Sequence, residues 1–140
     1  MTLIVDAAPL VALADSTDRM HKPTREVLAV EPGELIIPAA VTAEVDYLLG
    51  VRHGKLARRQ FLADLAAGRF TVAELERADY HTVLDLEARY EGLGLGLADC
   101  SLIVLAARHK TDRILSFDER RLRAVRPLHT TAFTLLPADR

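Results

Sequence analysis

Four of the 20 acidic residues in this 140-residue chain sit where ordinary solvation does not account for them. Asp6 interrupts the run Leu-Ile-Val-Asp-Ala-Ala-Pro-Leu-Val-Ala-Leu, and Asp99 interrupts Leu-Gly-Leu-Ala-Asp-Cys-Ser-Leu-Ile-Val, neither with a basic residue within several positions. A charge in apolar surroundings is costly unless it is paired, hydrogen-bonded or bound to a cation. Asp118 follows directly on the stretch 113–117, and Glu44 lies in the segment after Pro38, where Val41, Val45, Leu48 and Leu49 recur at helical spacing. Hard oxygen donors with no His or Cys ligand spacing among them suit Mg²⁺ or Mn²⁺, held by one or two carboxylates together with waters and substrate phosphates. An ion held this way polarises a phosphoryl oxygen and acidifies a bound water, which are the two needs of phosphodiester hydrolysis. The implied chemistry is nuclease chemistry.

Each acid also has an ordinary reading. Asp6 and Asp99 suit N-caps, whose carboxylates meet free backbone N–H groups at the positive end of a helix. Glu44 suits a solvated helix position, and Asp118 a turn or cap. The nuclease reading therefore requires that the fold bring the four together.

The elements that would do so are legible from hydrophobic patterning. Leu3-Ile4-Val5 and Leu35-Ile36-Ile37 are short apolar runs with abrupt polar or proline boundaries, as expected of strands buried on both faces. Further strands are expected at 70–73, 113–117 and 132–136. Helices are expected from Pro38 to Gly50, from Leu56 to the residues before Gly68, around Val83–Tyr90, and from Leu97 to His109. Alternation of this kind implies an α/β fold with a mostly parallel sheet and helices on both faces. Asp6 and Asp118 then project at the carboxyl edge of the sheet, where ligands bind in open α/β folds. Glu44, two turns into its helix, and Asp99, in a first helical turn, are expected to face the same mouth.

Composition narrows the rest. The length suits one domain, 1–140, with a core large enough to need no metal or disulfide to fold. The 18 basic and 20 acidic residues give a formal charge of −2, which excludes the strongly cationic signature of a protein that coats duplex nucleic acid. One cysteine, Cys100, excludes an internal disulfide and a cysteine-based zinc site, and suits a reducing, cytoplasmic setting. The first residues lack the basic start of a signal peptide, and no uncharged apolar run reaches the length of a membrane span, so no membrane association is expected.

In order along the chain, these residues resemble the PIN-domain family, and within it the VapC-type toxins of toxin–antitoxin pairs. Ile4-Val5-Asp6-Ala7-Ala8-Pro9-Leu10 resembles the first acidic motif of the family, and Pro38-Ala39-Ala40-Val41-Thr42-Ala43-Glu44-Val45 the second. Leu97-Ala98-Asp99-Cys100-Ser101-Leu102-Ile103 resembles the third, and Ile114-Leu115-Ser116-Phe117-Asp118-Glu119-Arg120-Arg121-Leu122 the fourth. The resemblance runs nearly end to end, and four motifs in order are far more specific than any one. It implies a three-layer α/β/α sandwich with a central parallel sheet, and an acidic pocket that binds Mg²⁺ or Mn²⁺ and cleaves single-stranded RNA. Asp6, Glu44 and Asp99 carry over as the main metal-site carboxylates, with Asp118 completing or supporting them. It also implies a homodimer silenced by a cognate antitoxin. The chain departs from the family at Ala8, where a polar residue usually supports the first Asp, and has Ser116 where Thr is common.

A pocket of four acids repels RNA, so cations must border it. Residues 108–126 hold seven basic against three acidic side chains, and residues 51–69 hold five against one. Arg120, Arg121 and Arg123, which follow the fourth acid, are the expected RNA contacts. The run Gly92-Leu93-Gly94-Leu95-Gly96 lacks phosphate-loop spacing and is read as a break between helices, the five His residues as structural or solvated, and Cys100 as a small buried hydrophobe. Two other functions remain: a PIN-like module with a weak or inactive site, motivated by Ala8, and a receiver-like signalling domain, which would want an adjacent acidic pair after the first strand.

Overall fold

The computed structural model describes residues 2–140. Its strands are short and apolar: β1 (Leu3–Val5), β2 (Leu35–Pro38), β3 (Thr71–Ala73), β4 (Arg113–Leu115) and β5 (Thr134–Leu136). All pair in parallel in the order β3-β2-β1-β4-β5, with Ile4 opposite Ile36 on one side and Ile114 on the other. Parallel strands covered on both faces need apolar side chains throughout, and every residue of β1 is fully buried.

The helices are α1 (Ala7–Leu13), α2 (His21–Val30), α3 (Ala39–Arg52), α4 (Lys55–Ala66), α5 (Asp79–Arg89), α6 (Leu97–Arg108) and α7 (Glu119–Ala124). The connections from β1 through β2 to β3 step one way across the sheet, and the connection from β3 to β4 steps back past β2 and β1. Right-handed crossovers therefore put the two sets of helices on opposite faces, giving the α/β/α sandwich. Contacts agree: α1 packs on α2 and α3, α3 on α4, and α5 on α6. The strand order reverses between β1 and β4, so the switch point lies where Asp6 and Ser116 leave the sheet.

One helix carries much of the core. Every residue of α6 from Cys100 to Ala106 is buried, the pattern of an internal helix apolar on all sides. It touches β1, β2, β4 and α3, which holds Asp99 in its first turn at a set height above the sheet. At the opposite edge, the pair Glu31–Arg113 (2.6 Å, Glu31 side chain 1% exposed) ties the start of β4 to the segment before β2. No helix among the described residues is long and apolar enough to cross a membrane.

The five strands stand where patterning predicts them, with shifted ends: β4 stops at Leu115, β5 starts at Thr134, and β2 runs on to Pro38, which pairs with Ala73 and caps α3 from outside instead of opening its first turn. Helix α3 does not end at Gly50 but continues to Arg52, because buried Leu49 and Val45 anchor that turn more strongly than one glycine weakens it. Its stop is at His53–Gly54, where Gly54 takes φ +90°. Apolar patterning predicts no helix at α2 or α7, because each buries two residues or fewer, too few to leave a clear apolar stripe. The 92–96 run does separate helices. Gly94, at φ +64°, closes a short 3-10 turn over Glu91–Leu93, and Gly96 is the N-cap of α6.

Candidate metal centre

Asp6 is the last residue out of β1 and the N-cap of α1. Its backbone N–H donates to Leu115 O of β4 (2.9 Å), which pins it between two central strands. One carboxylate oxygen accepts from the N–H of Ala7, the first residue of α1 (2.7 Å), and the other accepts from the Ser116 hydroxyl (2.7 Å). Ser116 is itself buried and held, its N–H donating to Leu136 O (3.1 Å) and its Oγ accepting from the Asp118 N–H (3.1 Å). A single hydroxyl thus links the first and fourth acids.

Asp99 is the third residue of α6, and its carboxylate reaches back to the Gly96 N–H (3.0 Å). Glu44 projects from the second turn of α3 into solvent, with no hydrogen-bond partner among the described residues. The N-terminal turns of α3 and α6 come together at the carboxyl edge, where Ala39, Ala40, Leu97 and Ser101 line one hollow.

Electrostatics bring three of the four together. Burial pushes the Asp6 carboxyl above the usual carboxylate range; the Ser116 hydroxyl and the Ala7 N–H act against that, and the negative charges of Asp99 and Glu44 push the same way as burial. Among the described residues no basic side chain forms an ion pair with Asp6, Glu44 or Asp99. Asp118 is placed differently. It caps α7, accepting from the Arg121 N–H (3.2 Å), and pairs with the Arg121 guanidinium (3.0 Å). That guanidinium also donates to Leu93 O (3.0 Å), and its proton is held by Asp118 first and by the more distant Asp99 after it.

The capping and ligand readings therefore coexist. Asp6, Asp99 and Asp118 all satisfy backbone N–H groups at helix starts, while Asp6, Glu44 and Asp99 share one field of negative charge that no ion pair among the described residues balances, Arg121 reaching Asp99 only through its field. No three His, Cys, Asp or Glu side chains among the described residues are gathered at ligand distance. A hard divalent ion does not demand that. Mg²⁺ is commonly held by one or two carboxylates and several waters, and an all-oxygen donor set around a half-buried Asp, with a solvent-facing Glu in the same field, fits such an ion.

The cations expected to meet RNA are mostly engaged elsewhere. Arg121 serves Asp118, and Arg123 is shared between Glu119 (3.0 Å) and Asp139 (2.7 Å), which raises its pKa. Arg120 is exposed and has no ion-pair partner among the described residues. Arg58 pairs with Asp46 (2.7 Å), Arg69 with Asp64, and Arg108 with Asp79. Cys100 is fully buried, and burial raises its thiol pKa, with Asp99 and Glu87 adding to it, so the thiol is protonated and unreactive. The part that sequence reasoning understated is Ser116. The pattern Ser-x-Asp after a strand signals a hydroxyl turn, but not that the same hydroxyl reaches a residue 110 positions away.

Comparison with known proteins accords with this geometry. The PIN domain family model matches residues 3–127. Ribonuclease VapC26 of Mycobacterium tuberculosis is 31% identical over 135 residues, covering 96% of this chain and all of that one. The crystal structure of VapC20 from the same organism, described as a sarcin–ricin loop cleaving toxin, superposes with a TM-score of 0.76 at 18% identity, over 83% of this chain and 89% of that one; it supports the fold. With the family model matching most of its length, the chain belongs to the PIN-domain family, with a VapC ribonuclease among its relatives.

Proposed function

We propose that residues 1–140 form one PIN domain that hydrolyses RNA phosphodiester bonds with a bound Mg²⁺ or Mn²⁺, as the toxin of a type II toxin–antitoxin pair. The observation that carries this reading is a half-buried Asp6 whose ionisation is opposed by its desolvation first and then by Asp99 and Glu44, and with which no basic residue among those described forms an ion pair. Three carboxylates kept in mutual repulsion are a poor structural device and a good cation site. Family membership and the ribonuclease relative support it.

When bound, the ion supplies polarisation of a phosphoryl oxygen and a more acidic water. The chain's own residues supply position and proton traffic. Ser116 and the Ala7 N–H fix the Asp6 carboxylate so that it does not turn away from the mouth. Asp99 is fixed by the Gly96 N–H, and Glu44, exposed and free of partners, is the carboxylate best able to accept a proton from the attacking water. Arg121 holds Asp118 at the rim and, lying within the field of Asp99, reduces repulsion of the phosphate there.

Ala8 does not favour an inactive module. Both oxygens of Asp6 already receive a donor, from Ala7 and Ser116, so the missing polar side chain leaves neither without a partner. A receiver-like domain is set aside by family membership. As partners we propose an RNA substrate, a cognate antitoxin and a second copy of this chain in a homodimer, with the cytoplasm as the setting. The direct test is cleavage of a single-stranded RNA with and without chelator: Mg²⁺- or Mn²⁺-dependent hydrolysis that is lost in Asp6→Asn supports the proposal, and undiminished cleavage in excess chelator refutes it.

A further inference from the structure

We propose that the hollow beside Ser116 is a subsite for one unpaired nucleotide adjoining the scissile phosphate, with its base against Phe117 and its phosphate at Arg19. This rests on the ribonuclease reading and adds to it the place where the RNA is gripped.

The hollow, about 380 Å³, opens between the ends of β4 and β5 and the start of α2, and is lined by Arg19, Met20, Pro23, Ser116, Phe117 and Pro137 among others. Ser116 belongs to both places: its residue walls the hollow and its hydroxyl is bonded to Asp6. One residue thus joins the hollow to the acidic mouth.

Phe117 is out of keeping with the other phenylalanines. Phe61 and Phe133 are buried in the core and Phe70 packs against it, whereas Phe117 is in neither group and stands partly exposed between Ser116 and Asp118. A large apolar ring that contributes nothing to the core, next to two site residues, is suited to stack on a base. The walls beside it, Met20, Pro23 and Pro137, are apolar, and the carboxylate that also lines the hollow, Glu119, is paired with Arg123 (3.0 Å).

The charge at the rim is complementary. Arg19 is exposed and has no ion-pair partner among the described residues. The nearby acids are engaged: Asp18 accepts from the Met20 N–H (2.8 Å), Asp15 from Thr17, and Glu119 from Arg123 (3.0 Å). A free guanidinium over an apolar floor with one aromatic face matches a nucleotide, with phosphate outward and base inward.

The chain has no tryptophan, so Phe117→Trp introduces a single reporter. In an Asp6→Asn background, to prevent cleavage, a single-stranded oligoribonucleotide is expected to quench that tryptophan saturably, with weaker binding when Arg19→Ala is added. In the otherwise native protein, Phe117→Ala is expected to raise KM for RNA roughly 5- to 100-fold with kcat nearly unchanged, and Phe117→Trp to restore it. Thermal melting of each variant confirms folding, as Phe117 lies outside the core. If wild-type protein cleaves RNA while Phe117→Ala keeps its KM and the tryptophan does not respond, the subsite is wrong and the nuclease reading stands. If wild-type protein neither binds nor cleaves RNA, both fall. Quenching that depends on protein concentration without RNA would assign the hollow to a second copy, and quenching by peptide but not by RNA to a protein partner; either overturns the proposal.

Discussion

Ser116 donates its hydroxyl proton to Asp6 across 2.7 Å, joining the ends of β4 and β1 at the point where the strand order reverses. The same oxygen accepts from the Asp118 N–H, so one small side chain orients the first acid and shapes the turn that presents the fourth. Because this bond favours the ionised carboxylate, it offsets part of the cost that burial imposes on Asp6. Ser116→Ala should lower kcat/KM by about 10–100-fold, the usual effect of removing a hydrogen bond behind a metal-site residue, and raise the Mn²⁺ concentration needed for half-maximal cleavage. Ser116→Thr should restore most of both. Steady-state cleavage across a metal titration measures it, and equal metal dependence in Ser116→Ala and wild type would refute it.

Asp6 should trade stability for function. Its carboxyl pKa is raised in the folded state, so its contribution to stability is fully present below the unfolded value, near 3.9, and is lost as pH rises through the folded one. In chelator at neutral pH, Asp6→Asn should therefore melt at or above the wild-type temperature while cleavage falls by roughly 100-fold or more. Below about pH 4 the stability advantage should vanish. Melting curves at several pH values read this, and a variant that melts well below wild type at neutral pH would contradict it.

Asp79 should show the opposite sign. Its carboxylate accepts from the Glu76 N–H (2.7 Å) and pairs with Arg108, which together hold its pKa below the usual range, the backbone bond contributing most. Its stabilisation is present above the unfolded pKa and lost as pH falls through the folded one. Asp79→Asn should lower the melting temperature at pH 7 by a few degrees, about the effect of losing a helix cap, and should leave RNA cleavage intact. The difference should narrow as pH falls below the unfolded carboxylate value and close once pH has passed below the depressed folded one. A pH-independent gap would refute this assignment.

Charge removal on α7 should separate structure from RNA contact. Arg123 is shared between Glu119 and Asp139, so Arg123→Ala should act on stability, and only slightly, because the network is exposed and solvent-screened. Arg120 has no such partner, and Arg120→Glu should weaken RNA binding and reduce its salt dependence while leaving the melting temperature unchanged. RNA affinity at two salt concentrations distinguishes the two, and equal losses for both variants would contradict it.

The architecture was legible because burial on both faces leaves a plain mark: Leu3-Ile4-Val5 and Leu35-Ile36-Ile37 admit few alternatives to internal parallel strands. Helices α2 and α7 left no such mark, since each buries only a residue or two. Among the acids, Asp6 and Asp99 stood out because apolar neighbours flank them on both sides. That Asp118 is tied to Arg121, and that Arg121 and Arg123 are tied down in turn, depends on side-chain direction, which spacing does not encode. Positive charge counted along 108–126 overstated what is free to meet RNA for the same reason: Arg108, Arg113, Arg121 and Arg123 all answer to carboxylates.

The central claim is that Asp6, Glu44 and Asp99 bear a common negative charge that a divalent ion relieves. The measurement closest to it is the melting temperature of wild type and of Asp6→Asn during titration with Mn²⁺ and Mg²⁺, with RNA cleavage followed in the same solutions. Wild type should be stabilised saturably, as expected of an ion that binds the folded state alone, and should gain activity over the same concentration range. Asp6→Asn should show neither response. Identical ion-induced stabilisation in both proteins, or cleavage that persists unchanged in excess chelator, would contradict the account.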